Sequence, residues 1–513
     1  MVSFLIPTAK QSFPPNFSNC ISNFLSKKHQ CLFLLKLCFS FKHMSQIHAQ
    51  IHVSGLHEDA FLQSELVRLC TLSAEKYLSF ARSLLYRSVN TVPASWNMLI
   101  RGYMSDSTKD AMWVFVEMRR RGIRPNKLTF PFLIKACAVL SALEEGRQVH
   151  VDVVKHGLDS DVYVQNNLVN FYGSCKKIVN ACHLFDEMSD RTVVSWNAVI
   201  TACVENFLVD NAIEYFVKMR DCGFEPDETT MVVVLSGCSD LGNLSLGKWI
   251  HSQVIERGLV LNCQLGTALV EMYTKCGNIG YGKIVFNRMA ERNVWTWSAM
   301  ILGLAQHGFA HEALNLFHTM MKSSCICPND VTFLGVLCAC THAGLVEDGY
   351  RYFHEMEYVH GIKPMMIHYG AMVDILGRAG CLREAYNFIL DMPLKPDPVV
   401  WRTLLSAFSV HDVDNDGLAD EVRKRLLELE PKRTGNLVIV ANIYAEGGMW
   451  EKAAKVRKTM KHGRLKKMAG ESCVELGGSI YRFFSGYDSR HEYDGVYQLL
   501  EGLNLHMKMA SNL

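Results

Sequence analysis

Net charge is nearly absent from this 513-residue chain, because 53 lysine and arginine residues are balanced by 51 aspartate and glutamate residues and leave a formal net charge of +2. The whole molecule therefore lacks the strongly basic character that would by itself indicate a nucleic-acid partner. Local basic clusters do occur at residues 119–127 and 461–467. A solvated helix end explains each cluster as well as an anionic partner does.

Metal-ligand spacings are also missing. The sequence has 18 cysteines but no C-x-x-C pair, and its closest pairs, Cys325 with Cys327 and Cys338 with Cys340, are separated by one residue. A zinc deaminase needs both a His-x-Glu and a C-x-x-C pair, and neither occurs after Pro398. We therefore expect no metal, no cofactor and no catalytic residue, so that the chain would not be an enzyme.

The cysteines recur at one place in the sequence pattern instead. Cys38, Cys137, Cys238 and Cys340 each follow a small residue or Leu at what aligns as the same helix position. A disulfide framework would not need such regular placement. The recurrence favours small core side chains in a reducing compartment.

An apparent calcium motif fails at its last ligand. Asp412, Asp414, Asp416 and Gly417 match the opening of an EF-hand loop, but the twelfth place, which requires a bidentate Glu, is Arg423. A cation at that place opposes the ion. We expect an acidic, solvated turn here.

Acidic residues are absent before Glu58. This absence is typical of an organellar transit peptide, although arginine is missing from the same stretch. The apolar run at residues 31–37 is too short to span a bilayer and aligns better as the first helix of an early repeat. We expect targeting sequence over residues 1–28 and no membrane segment.

The main feature that the sequence does contain is a long internal repeat. Trp96, Trp196 and Trp297 stand 100 and 101 residues apart, and Cys137 with Cys238 is one of several further pairs that are 101 apart. Within a period, units of 35, 35 and 31 residues end at Asp227, Asn262 and Asn293. A repeat of this kind is typical of a stacked array rather than of a compact multi-domain enzyme.

Each unit reads as two helices. In the unit that starts at Val193, apolar residues first follow helical spacing from Trp196, a break falls near Asn206, and a second apolar face runs to Met219. A single hairpin of this size cannot bury its apolar face, so stability must come from stacking on neighbours. The sequence therefore predicts an all-α fold, a right-handed α-solenoid of stacked helix-turn-helix units.

The unit lengths and several phrases resemble the plant pentatricopeptide repeat proteins of the class that mixes ordinary, long and short repeats. The phrases are SWNAVI at residues 195–200, NNLVNFYGSCKK at 166–177 and GMWEKAAKVRKTMK at 448–461. The resemblance implies tandem repeats over residues 29–397, an E extension of degenerate helical repeats over 398–465 and an E+-like tail over 466–513. The tail departs from the family pattern at Cys473, where Trp is common. The sequence ends about where the family's DYW deaminase domain would begin.

The resemblance also implies single-stranded RNA binding in an organelle, the mitochondrion or else the chloroplast, read at one base per repeat through a few side chains. Polar side chains are present at the two places concerned, the fifth residue of the first helix and the last residue of the unit, which we call the closing residue. These candidate base-binding pairs are Asn97 with Asn126, Asn166 with Thr192, Asn197 with Asp227, Thr267 with Asn293, and Ser298 with Asn329.

Long repeats differ at the fifth place, where Pro131, Val232 and Leu334 offer no side-chain hydrogen bond. Turn and cap chemistry alone explains Asn or Asp as closing residues. It explains poorly why polar fifth residues appear only in ordinary and short repeats. Exposed side chains at the second place, such as Val194, are expected to stack on bases, although simple packing would also account for Val194.

The family's pairing tendencies predict an RNA site of the form Y-N-Y-U-N-A-A-N-N, followed after about three nucleotides by a target cytidine. Uridine is assigned to Asn197 with Asp227, and its recognition should discriminate by about 1 to 3 kcal/mol. Relatives with this tail specify cytidine-to-uridine editing, so the resemblance implies a non-catalytic adaptor that recruits a DYW-type deaminase in trans through the E and E+ segments. Neither DNA nor a membrane is an expected partner.

Other functions remain open from the sequence. The same fold could serve RNA stability, splicing or processing, although the E-type tail argues against these roles. A protein-binding scaffold of the tetratricopeptide kind would have a period of 34 and no matched polar pairs, and this chain meets neither condition.

Overall fold

The computed structural model of the protein describes residues 27–38, 40–72, 77–88, 90–104, 108–322, 326–411, 417–463, 465, 470–476, 479–484 and 502. The chain divides into two compact units, residues 1–237 and 238–513. Within the described residues there are 26 helices and one pair of strands.

The helices of the first unit are α1 Lys27–Lys36, α2 Phe41–Val53, α3 Ala60–Leu72, α4 Leu78–Arg87, α5 Pro93–Tyr103, α6 Thr108–Arg120, α7 Thr129–Val139, α8 Leu143–Lys155, α9 Val162–Ser174, α10 Ile178–Glu187, α11 Val193–Glu205 and α12 Val209–Asp221, with α13 Glu228–Leu241 at the division. The second unit contains α14 Leu244–Glu256, α15 Cys263–Lys275, α16 Ile279–Arg288, α17 Val294–Gln306, α18 Ala310–Lys322, α19 Asp330–Ala343, α20 Val346–Tyr358, α21 Met366–Arg378, α22 Leu382–Leu390, α23 Pro398–His411, α24 Leu418–Leu429, α25 Thr434–Glu446 and α26 Trp450–His462, followed by strands β1 Glu471–Leu476 and β2 Ser479–Phe484.

Helices α11 and α12 illustrate why a unit folds as a hairpin. The side chain of Thr192 accepts a hydrogen bond from the backbone of Ser195 and starts α11 with a capping box. Gly223, with φ of 81°, follows α12 and permits the left-handed turn that ends it. The buried residues of the two helices, Trp196 and Phe216 among them, close the hairpin on one side.

First helices of consecutive hairpins pack on one another within each unit. In the first unit α7 packs on α5 and α9, and α11 packs on α9; in the second unit α17 packs on α15 and α19, and α21 packs on α19 and α23. The prediction of an all-α array of stacked helix-turn-helix units is confirmed by this arrangement. Within each unit the apolar residues of these first helices lie in the core, because helices such as α7 and α19 are covered on two sides by their neighbours.

Cysteine burial follows the recurrence seen in the sequence. Cys137, Cys238 and Cys340 are fully buried and free of disulfides, whereas Cys38 is only half-buried. Burial raises the pKa of the Cys137 thiol to about 12, with a smaller contribution from Glu145. The Cys137 thiol is therefore protonated at neutral pH and acts as a small apolar side chain.

A β-hairpin follows the last helix. Strand β1 pairs antiparallel with β2, from Glu471 opposite Phe484 to Leu476 opposite Ser479. The sequence analysis did not anticipate strands in the tail. The available signal was the Gly-Gly at residues 477–478 followed by the run SIYRFF, which is rich in β-branched and aromatic residues.

Some sequence predictions fall outside the described residues. They are the proposed targeting sequence up to residue 26, the aspartates of the apparent calcium loop at 412–416, and part of the basic cluster at 461–467. In the part of the chain that is described, none of the helices combines the length and apolar character that crossing a membrane requires.

Candidate nucleic-acid interface

In each ordinary repeat, the side chain of the fifth residue is in direct contact with the side chain of the closing residue. Asn97 Nδ2 donates to Asn126 Oδ1 over 3.1 Å, and Asn197 Nδ2 donates to Asp227 Oδ1 over 3.0 Å. The fifth residues are buried, since Asn97 and Asn197 are 5% and 9% exposed. The closing residues Asn126 and Asp227 are exposed. Each pair therefore forms a shallow polar site with one buried wall.

The third ordinary pair has the same arrangement with a smaller fifth residue. Ser298 Oγ lies 3.0 Å from Asn329 Oδ1 and 2.8 Å from the Val294 carbonyl oxygen. Asn329 Oδ1 also accepts from the backbone of Thr332. The Asn329 Nδ2 group is buried and has no partner.

A hydroxyl from the next unit joins each ordinary pair. Thr129 Oγ1 donates to Asn97 Oδ1 over 2.8 Å, and Thr230 Oγ1 donates to Asn197 Oδ1 over 2.6 Å. Thr332 Oγ1 lies 2.6 Å from Ser298 Oγ. These hydroxyls belong to the third residue of the following unit, which sits next to the closing residue in space.

Asp227 is the one acidic member of the predicted pairs. Partial burial by itself would raise the pKa of its carboxyl, but hydrogen bonds from the Thr230 backbone, from Asn197 and from the Thr230 hydroxyl outweigh burial and hold the pKa below its ordinary value. The group is therefore ionised at neutral pH. Its Oδ1 accepts from Asn197 Nδ2, from the Thr230 backbone and from the Thr230 hydroxyl, and the Thr229 backbone also donates to the carboxylate.

The two predicted pairs in short repeats are less uniform. Thr267 Oγ1 reaches Asn293 through Thr296, because Thr296 Oγ1 lies 2.7 Å from Thr267 Oγ1 and 3.0 Å from Asn293 Oδ1. The side chain of Thr192 is engaged by Ser195 in the cap of α11. Asn166 is 5% exposed, and its Oδ1 is buried without a partner.

Ser64 occupies the fifth place of the first short repeat. Its Oγ lies 2.6 Å from Ser95 Oγ, the third residue of the next unit. Helix α5 has Val92 as its N-cap residue. Val92 therefore stands at the closing place that the sequence left ambiguous, and Asn90 does not.

Long repeats have no comparable polar site. Pro131 is buried, and Val232 and Leu334 are half-buried, so the fifth place presents carbon atoms only. The closing residues Asp161 and Asn262 accept backbone hydrogen bonds at the starts of α9 and α15. Cap chemistry is thus sufficient for closing residues of long repeats, as the alternative interpretation held.

The second residue of several units projects from the same end of the first helix. Tyr163, Val194 and Trp295 are 55%, 61% and 55% exposed. Simple packing does not account for Val194, because most of its surface lies open. Exposed rings and branched side chains beside polar pairs form the arrangement that base stacking requires.

The polar site changes at the C-terminal hairpins. The fifth residue of α21 is Gly370, and that of α23 is Arg402. Arg402 donates to Asn436 Oδ1 and Glu430 Oε2, both over 3.0 Å, and Asn436 Nδ2 donates to Glu430 Oε2 over 2.7 Å. The place is therefore occupied by an internal ion pair, Arg402 with Glu430, rather than by a polar pair of the kind in the ordinary repeats.

Metal chemistry has no support from the geometry. Within the described ranges, no three His, Cys, Asp or Glu side chains lie where they could share a metal ion.

Comparison with known proteins places these features in a family. Models described as PPR repeat family match residues 93–139 and 191–240, and models described as PPR repeat match 295–325, 331–358 and 367–395. Pentatricopeptide repeat-containing protein At2g36730 of Arabidopsis thaliana is 63% identical over 482 residues, which cover 94% of this chain and 96% of that protein. The chain belongs to the pentatricopeptide repeat family. A model described as E motif matches residues 414–475.

A second relative of the pentatricopeptide repeat chain is At1g59720, chloroplastic/mitochondrial, of Arabidopsis thaliana. It is 35% identical over 518 residues, covering 98% of this chain and 80% of that protein. Among solved structures, the pentatricopeptide repeat protein PPR10 in complex with an 18-nt psaJ RNA element aligns with a TM-score of 0.65 and 17% identity, over 82% of this chain and 64% of that chain. This likeness shows that the fold is the same.

The sequence analysis missed one class of residue in this pentatricopeptide repeat protein. The hydroxyl at the third place of the next unit contacts every ordinary pair. Its recurrence was visible in the sequence, since Thr129 and Thr230 are 101 residues apart. The contact itself was not visible, because it joins side chains about 33 residues apart.

Proposed function

We propose that this protein is a non-catalytic, sequence-specific adaptor that binds single-stranded organellar RNA and selects cytidines for C-to-U editing. The observation that carries RNA binding is the row of polar pairs, in which the fifth residue of every ordinary repeat is buried and bonded to its closing residue. Amide, carboxylate and hydroxyl groups of this kind recognise base edges. The solved relative of the same fold is bound to RNA, which supports the proposal.

The pairs suit particular bases. Asp227 Oδ2 can accept from uridine N3–H while the second Nδ2 hydrogen of Asn197 donates to a uridine carbonyl oxygen. Cytosine offers an acceptor at N3, which the carboxylate repels. Ser298 and Asn329 supply the hydroxyl and amide groups that the family's pairing tendency associates with adenine. These chemistries agree with the predicted U and A positions of the site Y-N-Y-U-N-A-A-N-N.

The editing role is supported by the C-terminal segment. The match to the E motif at residues 414–475 and the absence of His-x-Glu and C-x-x-C after Pro398 are both accounted for if a DYW-type deaminase is recruited in trans. The E and E+-like segments, 398–465 and 466–513, would form the docking surface. The Arg402–Glu430 ion pair agrees with a boundary between reading repeats and the E extension near residue 398.

The proposed location is an organelle, the mitochondrion in preference to the chloroplast. The acid-poor stretch before Glu58 supports targeting. A fusion of residues 1–60 to a fluorescent protein, imaged beside markers of both organelles, tests this. Signal in the chloroplast alone would replace the mitochondrial assignment, and signal outside both organelles would remove the organellar one.

Organellar RNA sequencing of plants that lack the protein tests the editing role. Loss of editing at one or a few cytidines preceded by the U-N-A-A pattern is expected. Unchanged editing with altered abundance or processing of one transcript would assign the second candidate function, RNA stability, splicing or processing.

Binding of the recombinant chain to short RNAs tests the more basic claim. Affinity for an RNA with the predicted site should fall steeply between about 50 and 200 mM salt, because phosphate contacts release counterions. A flat salt response without base preference would favour the protein-scaffold function.

A further inference from the structure

At five polar sites the third residue of the following unit touches the fifth residue, whereas Ser195, which follows Asn166, bonds to Thr192 instead. Contacts between the two side chains of 2.6 to 2.8 Å occur at five places in the described residues. They join Ser95 with Ser64, Thr129 with Asn97, Thr230 with Asn197, Thr296 with Thr267, and Thr332 with Ser298.

The hydroxyl disappears where the fifth residue is apolar. The third residues that follow the long repeats are Val164, Leu265 and His368. The fifth residues of those three long repeats are Pro131, Val232 and Leu334, respectively. The presence of the hydroxyl therefore follows the presence of a polar fifth residue.

Helix capping does not require this hydroxyl. Asp161 caps α9 and Asn262 caps α15 through their own side chains, although Val164 and Leu265 stand at the third places there. The hydroxyl does accept the backbone N–H of the closing residue at some sites, as Thr230 does from Asp227 over 3.1 Å. Capping is thus a second use of the hydroxyl and leaves its contact with the fifth residue unexplained.

The Thr230 hydroxyl and the Asp227 carboxylate together fix which way the Asn197 amide faces. The hydroxyl oxygen lies 2.6 Å from Asn197 Oδ1 and 2.9 Å from Asp227 Oδ1, so its single proton is shared between the two acceptors. Asn197 Oδ1 accepts from the Thr230 hydroxyl, and Asn197 Nδ2 donates to Asp227 Oδ1. A 180° rotation of the amide would place its oxygen against the Asp227 carboxylate and its NH2 group against the Thr230 proton. The bonded orientation leaves the second Nδ2 hydrogen as the group that the amide offers to a base.

We propose that Thr230, with its counterparts Thr129, Thr296, Thr332 and Ser95, is a positioning residue for base discrimination. It sets the orientation of the fifth residue and does not itself contact the base. This inference rests on the proposed RNA-reading function. It adds a third residue, from the next unit, to the five sites at which the contact occurs.

Binding measurements on full-length variants test the inference. The variants are Thr230→Val, which keeps the shape and removes the hydroxyl, Thr230→Ser, which restores it, and Thr332→Val as the matched change at another site. The probes are RNAs of the predicted sequence that carry U or C at the U position and A or G at the second A position. Circular dichroism confirms folding, and Thr230→Ala replaces Thr230→Val if that variant does not fold.

The expected result is local to each site. Thr230→Val should lower the U-to-C affinity ratio about fivefold and leave the A-to-G affinity ratio unchanged. Thr230→Ser should restore the U-to-C ratio. Thr332→Val should lower only the A-to-G ratio. Equal weakening of all RNAs by Thr230→Val would show a purely structural cap and overturn the inference. Wild-type protein that binds RNA without preferring U over C would instead refute the proposed readout by Asn197 and Asp227, and the inference with it.

Discussion

The guanidinium of Arg292 lies over the ring of Phe286, 4.8 Å from its centroid. It also donates to the carbonyl oxygens of Phe286 and Asn287 over 2.6 and 3.0 Å. Arg191 repeats the arrangement one period earlier, 5.0 Å from the Phe185 ring centroid. The arginine thus closes the end of a short-repeat hairpin by satisfying carbonyl groups that the helix leaves open.

Arg292→Ala should destabilise the fold by about 2 kcal/mol, because it removes charged hydrogen bonds and a cation–π contact. Arg292→Lys should recover only part of this loss, since lysine cannot form the planar fork. Chemical unfolding measures both. Arg288→Ala, at an exposed position of α16, serves as the control and should change stability by less than about 0.5 kcal/mol. Equal effects of the two alanine variants would contradict the assigned role.

Gly146→Ala should cost about 1 to 3 kcal/mol. A Cβ built at Gly146 would lie 2.0 Å from Cζ of the buried Phe171 ring, so the ring would have to move within a packed core. Gly435→Ala is the matched control, because a Cβ there meets nothing within 4 Å and alanine favours helix. It should be neutral or stabilising. Thermal unfolding distinguishes the two, and a neutral Gly146→Ala would show that the ring adjusts freely.

Stability should fall as the pH decreases through the range in which His368 accepts a proton. Burial lowers the pKa of His368, against the opposing effect of its hydrogen bonds to the Asp330 and Met365 backbone. A pKa lowered in the folded state gives stability that is complete above the unfolded value of about 6.5 and is lost as the pH falls through the folded value. His368→Asn should flatten the dependence between about pH 7 and 5, measured by thermal unfolding. An unchanged slope would exclude His368 as the group responsible.

Asp227→Asn should relax the choice of U over C at one nucleotide by about 1 to 3 kcal/mol, because an amide can donate to cytosine N3. Competition binding with the two RNAs measures this. The wild-type chain should prefer U over C from neutral pH down to the lowered pKa of Asp227. This preference should disappear when the carboxylate is protonated. Asn126→Asp is the reciprocal change and should increase preference for U at its own site. A U-to-C ratio unaffected by Asp227→Asn would remove Asp227 from the readout.

Trp295→Ala should weaken binding of every RNA by about 1 to 3 kcal/mol, since stacking does not depend strongly on the base. Trp295 is 55% exposed, so the substitution leaves the core intact. Trp450→Ala, on the second helix of a C-terminal hairpin and 67% exposed, controls for loss of an exposed tryptophan. Fluorescence anisotropy should show a loss for the first variant only. Equal affinities for Trp295→Ala and the wild-type chain would place the bases elsewhere.

Much of the fold could be predicted because its determinants are local. The period of Trp96, Trp196 and Trp297 set the units, and the apolar spacing within a unit set its two helices, since each hairpin contacts only its neighbours. The β-hairpin formed by β1 and β2 could not be predicted in this way. It lies outside the repeat pattern, and short alternating runs are a weaker signal than a period repeated three times.

The unit boundaries, the polar character of the fifth and closing residues, and the apolar fifth residues of the long repeats follow from the amino-acid pattern alone. Which atoms meet depends on the three-dimensional packing of consecutive units. It placed Val92 rather than Asn90 at the closing place after Ser64, filled the fifth place of α23 with the Arg402–Glu430 ion pair, and brought Thr230 onto Asn197. Periodicity fixes the direction of a side chain from its own helix, but hydrogen bonding between units depends on how closely consecutive helices pack, to within a few tenths of an ångström.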